Sequence, residues 1–251
     1  MGLWGRYAGV RKHMVRRSFD LYRGVERRLS PSISSPPSGF RGREPIEQVE
    51  VREPYVAMTF DDGPDPVNTP RLLDILAARG VKATFYVIGE PVTVHPDVVR
   101  RTLAEGHEVG NHTWSHRSLT TQTSHSIVEE LMRTQEAVED AIGIPTASLR
   151  PPYGAVTRQM TRWIDYQFGY PAVLWSVSAR DWEDPGPELI TNRLVSDIAT
   201  GSIVLNHDPE PDTVDAMAET LDRLLDKGFR FVTVSELIAL GEKDTASDPP
   251  R

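Results

Sequence analysis

Short apolar runs alternate with helix-like stretches along most of the chain, and the pattern changes character near residue 45. Beyond that point, residues 55–60, 83–88, 107–111, 147–149, 172–177, 202–206 and 230–233 read as strands, being short, apolar and β-branched. Between them lie segments whose apolar residues recur every three or four positions. One starts at Thr69-Pro70 and stops at Gly80. A second starts at Ser124, places Ile127, Leu131 and Val138 on one face and ends near Gly143. Residues 187–198 and 214–227 have the same character. Strands alternating with helices predict an α/β fold with parallel strands, open or closed into a barrel.

The first thirty residues follow a different rule. Leu3, Tyr7, Val10, Met14, Leu21, Val25 and Leu29 recur at helical spacing, with arginines between them. This predicts a basic amphipathic helix suited to an anionic membrane surface, or else one packed on another domain. Arg16-Arg17-Ser18-Phe19 has a twin-arginine look, but no apolar stretch or small-residue cleavage site follows, so no signal peptide is expected. Residues 30–42, rich in Pro, Ser and Gly, read as a linker. The expected organisation is therefore an arm and linker over 1–45, a folded body over 46–241 and a polar tail over 242–251.

Charge follows the same division. Residues 1–45 hold ten Lys/Arg and three Asp/Glu, a balance of +7, which leaves −15 for the rest of a chain whose net charge is −8. An acidic body argues against nucleic acid as a partner. The 251 residues include no cysteine. A disulfide scaffold, a thiol nucleophile and an iron–sulfur site are thereby excluded, and any metal must be held by His, Asp or Glu.

Chemistry-bearing residues collect at the ends of the predicted strands, where parallel α/β folds place their sites. Asp61 and Asp62 follow the first strand in Thr59-Phe60-Asp61-Asp62-Gly63-Pro64-Asp65. His112 and His116 follow the third in Asn111-His112-Thr113-Trp114-Ser115-His116, a spacing that puts both on one side of a helical turn. Leu149-Arg150-Pro151-Pro152-Tyr153-Gly154 offers a guanidinium for bidentate pairing with a carboxylate, then two prolines, which leave Tyr153 as the next amide donor. Asp181 and Trp182 lie beyond the fifth strand, and His207 ends the sixth. Two His and one carboxylate suit Zn²⁺ with an open position, or Fe²⁺ in an oxygenase. His13, His95, His107 and His125 have no such company.

The five segments, in this order, resemble the motifs of the polysaccharide deacetylase family, carbohydrate esterase family four, over roughly residues 52–240. Each is weak alone and together they are specific. The resemblance implies a distorted (β/α) barrel of about seven strands. It implies hydrolysis of N-acetyl groups on chitin oligomers, peptidoglycan or an exopolysaccharide, with release of acetate. By that resemblance Asp62, His112 and His116 hold a divalent metal. Zn²⁺ is the default for such ligands, with Co, Mn and Fe as the other candidates. Asp61 becomes the general base, oriented by Arg150, and His207 the general acid, tuned by Asp181. The Tyr153 N–H meets the oxyanion, and Trp182 and Leu205 enclose the acetyl methyl group.

The family's fourth motif usually begins with an acidic residue where this chain has Ser178. Asp181 is retained, so activity is expected to survive. An iron oxygenase, an O-acetyl esterase and a carbohydrate-binding pseudoenzyme are the competing readings. The last would usually have lost its base or acid, and both are present here. The missing leader points to the cytoplasm or its membrane face, whereas a wall polysaccharide would lie outside.

Overall fold

The computed structural model describes residues 42–246, together with Pro36 and Phe40. The expected arm helix from Leu3 to Leu29 therefore lies outside the described residues. Six strands form one sheet: β1 (Tyr55–Asp61), β2 (Thr84–Val87), β3 (Glu108–Asn111), β4 (Val177–Ser178), β5 (Ile203–His207) and β6 (Arg230–Phe231). Their order is β3-β2-β1-β5-β4, with β6 against the start of β1, and every pairing between them is parallel.

The fourth predicted strand, residues 147–149, is reduced to Leu149, which bridges Asn111 on one side and Ala172 on the other. The cause is local: Pro145 and Pro151-Pro152 flank it and withhold the N–H groups that a longer ladder needs. The backbone contacts are nonetheless made, from Arg150 N–H to Asn111 O (3.0 Å) and from Val173 N–H to Leu149 O (2.8 Å). The fifth predicted strand also narrows, to bridges at Ala172 and Val173 and then β4. Because β4 pairs with β5, this segment closes the sheet on itself. The result is a barrel with one frayed wall.

Eight α-helices lie among the described residues: α1 (Asn68–Ala78), α2 (Gly89–Val94), α3 (Pro96–Ala104), α4 (Ser124–Ile142), α5 (Arg158–Phe168), α6 (Pro187–Asp197), α7 (Pro211–Asp226) and α8 (Val234–Ala246). Four of these are not anticipated by the apolar spacing: α2 and α3 are short, α5 is strongly polar, and α8 runs through residues 242–246, into the expected tail. Caps fix several starts. The Asp65 carboxylate accepts from Val67 N–H (2.9 Å) and Asn68 N–H (2.6 Å) ahead of α1, and Thr123 Oγ1 accepts from Ser126 N–H (3.2 Å) at α4. None of these helices is long and apolar enough to cross a membrane.

Alternation along β1 sorts the barrel wall. Met58 and Phe60 join Leu72, Leu73, Leu76, Leu194 and Leu221 in the layer between sheet and helices. Ala57 faces inward with Tyr86, Val173 and Ile203, where Val234 and Leu237 of α8 plug one end. Thr59 and Asp61 continue the inward face toward the strand C-termini, and there the interior turns polar.

Candidate active site

The backbone delivers five functional groups to one end of the barrel. Asp61 and His207 are the last residues of β1 and β5 and are register partners, so their side chains leave neighbouring strands on the same side. Asp62 follows with φ of 74°, in a left-handed turn. Gly63 makes this turn fit, since a Cβ there would sit 2.3 Å from Asp208 Oδ2.

Asp62 Oδ1 lies 3.3 Å from His112 Nε2 and 3.2 Å from His116 Nε2, and one ligand atom from each of the three falls within 4.8 Å of the others. The expected helical turn between the two histidines is not there. The segment after β3 is a loop with left-handed residues at Thr113 (φ 68°) and His116 (φ 57°), and it folds back to bring the rings to 4.9 Å. A helix would keep its own ladder, whereas here the backbone groups are claimed by neighbouring elements, as detailed below.

The donor set fits a divalent metal. His112 Nδ1 lies 2.7 Å from the Arg150 carbonyl, which can only accept, so the proton sits on Nδ1 and Nε2 offers a lone pair. Asp62 Oδ1 is buried and has no hydrogen-bond partner among the described residues, which suits a metal ligand. Burial alone would raise the Asp62 carboxyl, yet the two imidazoles hold it below its ordinary value. Burial also lowers His116, against the pull of Asp62, which favours the neutral ring that a metal requires.

Arg150 is fully buried. The anticipated bidentate pair is absent: only Nη1 reaches Asp61, at 2.8 Å on Oδ1. The remaining donors go to Thr59 Oγ1, Leu174 O (2.9 Å) and Val173 O (3.3 Å), because the frayed wall leaves those carbonyls unpaired by a strand. The guanidinium also stacks on Tyr86, 4.3 Å from the ring centroid. This single-point contact leaves Asp61 Oδ2 unclaimed, 3.8 Å from His112 Nε2.

On the other side, His207 Nδ1 meets Asp181 Oδ1 at 2.8 Å, while Asp181 Oδ2 accepts from the His207 backbone N–H (2.7 Å) and from Thr213 Oγ1 (2.6 Å). Burial pulls the imidazolium down, but the Asp181 hydrogen bond and charge outweigh it and His207 is pushed up to about 9. The same contacts hold Asp181 below its ordinary value despite its burial. Trp182, half exposed, sets its ring at 87° to His207 with centroids 5.5 Å apart. Leu205 is buried two residues before His207 on the same strand face. Tyr153 has φ of 60°, an exposed ring against His116 (4.7 Å between centroids), and an N–H that no acceptor among the described residues takes up.

Several supporting residues escape the sequence reading. Thr59, two positions before Asp61, gave a signal through strand alternation alone. Thr213 gave none. Asp208 follows His207, is fully buried, accepts from Thr69 Oγ1 and is raised by burial to about 7. Glu130 was visible as an acid among the apolar positions of α4, next to Leu131.

Comparison with known proteins agrees with this geometry. The sequence model of the polysaccharide deacetylase family matches residues 48–173. The chain is 40% identical over 188 residues to the peptidoglycan-N-acetylglucosamine deacetylase PgdA of Listeria monocytogenes, a match covering 75% of this chain and 39% of that protein. It thus spans about two fifths of the length of that relative. It is 39% identical over 190 residues to a chitooligosaccharide deacetylase of Sinorhizobium fredii, covering 74% of this chain and 84% of the other. The crystal structure of the Bc1960 peptidoglycan N-acetylglucosamine deacetylase superposes with a TM-score of 0.74 at 33% identity, over 77% of this chain and 92% of that one. A barrel with this strand order, this cluster at its mouth and these relatives have one explanation: the chain belongs to the polysaccharide deacetylase family.

Proposed function

We propose that this protein removes N-acetyl groups from an N-acetylated glycan, chitin oligomer, peptidoglycan or exopolysaccharide, and releases acetate. The observation that carries the proposal is the pairing of Asp61 and His207 in register on neighbouring strands, each held by its own partner, beside a three-ligand cluster. Asp62, His112 and His116 would hold the metal, with Zn²⁺ the best match to their chemistry. When bound, it supplies a Lewis acid that polarises the acyl oxygen and acidifies a water.

The chain's own residues divide the proton work. Asp61 takes the water's proton at Oδ2, since Arg150 occupies Oδ1. The Tyr153 N–H meets the negative oxygen as the acyl carbon becomes tetrahedral. His207, kept protonated by Asp181 and anchored through Nδ1, delivers the Nε2 proton to the departing amine as the C–N bond breaks. Trp182 and Leu205 bound the acetyl methyl. The products are acetate and a free amino sugar.

Acetate release from a panel of N-acetylated glycans, with and without a chelator, tests this. Chelator-sensitive release is expected; none from any N-acetyl glycan in the zinc-loaded protein sinks the proposal, and release from O-acetyl glycans alone would favour the esterase. Residues 1–42 are proposed to contact anionic lipid, and sedimentation of the full chain with anionic liposomes should weaken at high salt.

A further inference from the structure

We propose that Glu130 is a positioning residue whose buried carboxylate sets the loop that presents His112 and His116. The inference rests on the metal reading of that cluster. Glu130 projects from α4 and is 8% exposed. Its Oε2 accepts from the backbone N–H of Trp114 (2.8 Å) and of Ser115 (2.8 Å), and its Oε1 from Ser115 Oγ (2.5 Å). All three donors belong to the three residues between the two histidines. No arginine or lysine among the described residues forms an ion pair with it. A carboxylate buried this far without a cation is costly unless its lone pairs are filled, and here loop donors fill them.

The rest of the clamp shows what the carboxylate completes. Thr113 O accepts from Gly89 N–H (2.9 Å) and Trp114 O from Glu90 N–H (3.2 Å), both at the start of α2. Thr113 N–H donates to Asn111 Oδ1 (2.8 Å). Two carbonyls are therefore held from the α2 side, and the next two amides from the α4 side by a single residue. The fit is close: a Cβ on Gly89 would lie 2.6 Å from the Trp114 ring, and the Arg133 guanidinium covers the same ring at 3.9 Å.

The two histidines need this clamp unequally. The His112 ring is fixed by its own bond to Arg150 O. The His116 ring has no such anchor among the described residues; it rests between the rings of His112 and Tyr153. Its place is inherited from the backbone of Trp114 and Ser115, which Glu130 holds. Left-handed φ at Thr113 and His116 makes that backbone one the chain would leave if released.

The test is zinc affinity of the metal-stripped full chain, by competition with a chromophoric chelator, alongside its thermal midpoint without metal. Glu130→Leu removes the acceptors and is expected to weaken zinc binding about 10- to 100-fold, as loss of a residue supporting a ligand does. Glu130→Gln keeps an oxygen for the two amides and is expected to restore affinity to within a few-fold. If Glu130→Leu does not fold, Ser115→Ala removes one of the three bonds and should weaken zinc binding about 2- to 10-fold. Wild-type affinity in Glu130→Leu, or in Ser115→Ala where that variant decides, overturns the proposal, as does a Glu130→Gln as weak as Glu130→Leu. Failure of the wild type itself to bind zinc would instead bring down the metal reading and the inference with it.

Discussion

His116 reaches the cluster along a loop that twice enters left-handed backbone, whereas His207 arrives at the end of a regular strand whose register with β1 places it opposite Asp61. The two halves of the cleft are thus positioned by different means. On the metal side, backbone amides and carbonyls are captured from α2 and α4, and the side chains follow. On the proton side Asp61 and His207 end regular strands, while Asp181 sits in a short turn after left-handed Arg180 (φ 51°), and side chain meets side chain in the Asp61–Arg150 and Asp181–His207 contacts. A loop clamp fixes geometry without a net charge change at the ligands. A carboxylate–imidazole contact fixes geometry and sets proton affinity together. The first arrangement suits holding an ion, the second suits releasing a proton at a chosen pH.

Removing a ligand should produce the largest effect and touch only the metal half. His112→Ala or Asp62→Ala is expected to abolish stoichiometric metal content and lower turnover by about 10³-fold or more, since Lewis-acid assistance contributes several kcal/mol. Elemental analysis of the purified variants checks it, and full metal content in His112→Ala would refute the ligand set. The contrast sharpens within the half. His112 is buried and bonded to Arg150 O, while His116 is a quarter exposed and has no backbone acceptor for its ring among the described residues. His112→Ala should therefore lower the thermal midpoint of the metal-free protein more than His116→Ala does.

Next in size are changes that disable proton transfer and leave the metal in place. Asp61→Asn should keep zinc, because the neighbouring Asp62 is the proposed ligand, and should lose about 10²–10⁴-fold in turnover. His207→Ala should lose a similar factor on an unactivated acetamide. A substrate with a good leaving group would separate them, because it needs no acid: His207→Ala should recover much of its rate there and Asp61→Asn should not. Equal recovery by both variants would merge the two roles.

The same division decides what was legible in the sequence. Strand-borne groups announce themselves: Asp61, His207 and the alternation of strands with helices follow from apolar runs and the polar residue at each run's end. The His112/His116 spacing pointed to a pair that the chain does bring together, but by a loop and not by the helical turn that i, i+4 matches. Hydrophobic period carries no trace of a clamp made by an amide and a remote glutamate, so Glu130 went unread. Prolines told half of the fourth strand's story: Pro151-Pro152 was read as stiffening Tyr153, yet with Pro145 it also cuts the strand to Leu149 and frees the carbonyls that Arg150 binds. The helices α2 and α3 are short, and α5 carries only a narrow apolar stripe, with Trp163 and Ile164 buried, among mostly polar residues.

The smallest expected effects come from tuning His207 without removing it. In the proposed mechanism the imidazolium is the working form, and with His207 pushed up to about 9 activity is expected to fall as pH rises through that region. Asp181 provides the two contributions that raise His207 most, so Asp181→Asn leaves burial, which lowers it, largely unopposed. The basic limb of the kcat/KM profile should then move to lower pH by about 1–3 units. Hydrogen-bond polarity adds to this. Asp181 Oδ2 accepts from the His207 amide and Thr213, and Oδ1 from Nδ1. An asparagine that keeps its oxygen on the first pair must turn its NH₂ toward Nδ1, which then has to accept. That arrangement favours the neutral imidazole with its proton on Nε2, a far weaker acid, so kcat at the new optimum should fall as well. Thr213→Val is the finer probe. It removes one donor to Asp181 and leaves the contact with His207 intact; with one donor fewer the carboxylate becomes the stronger acceptor for Nδ1–H, so the limb should move by a fraction of the Asp181→Asn shift and in the opposite direction, to higher pH, with zinc content unchanged. A basic limb that stays in place in Asp181→Asn would show that His207 is not the group being titrated, and the comparison between the two halves would fail on its proton side.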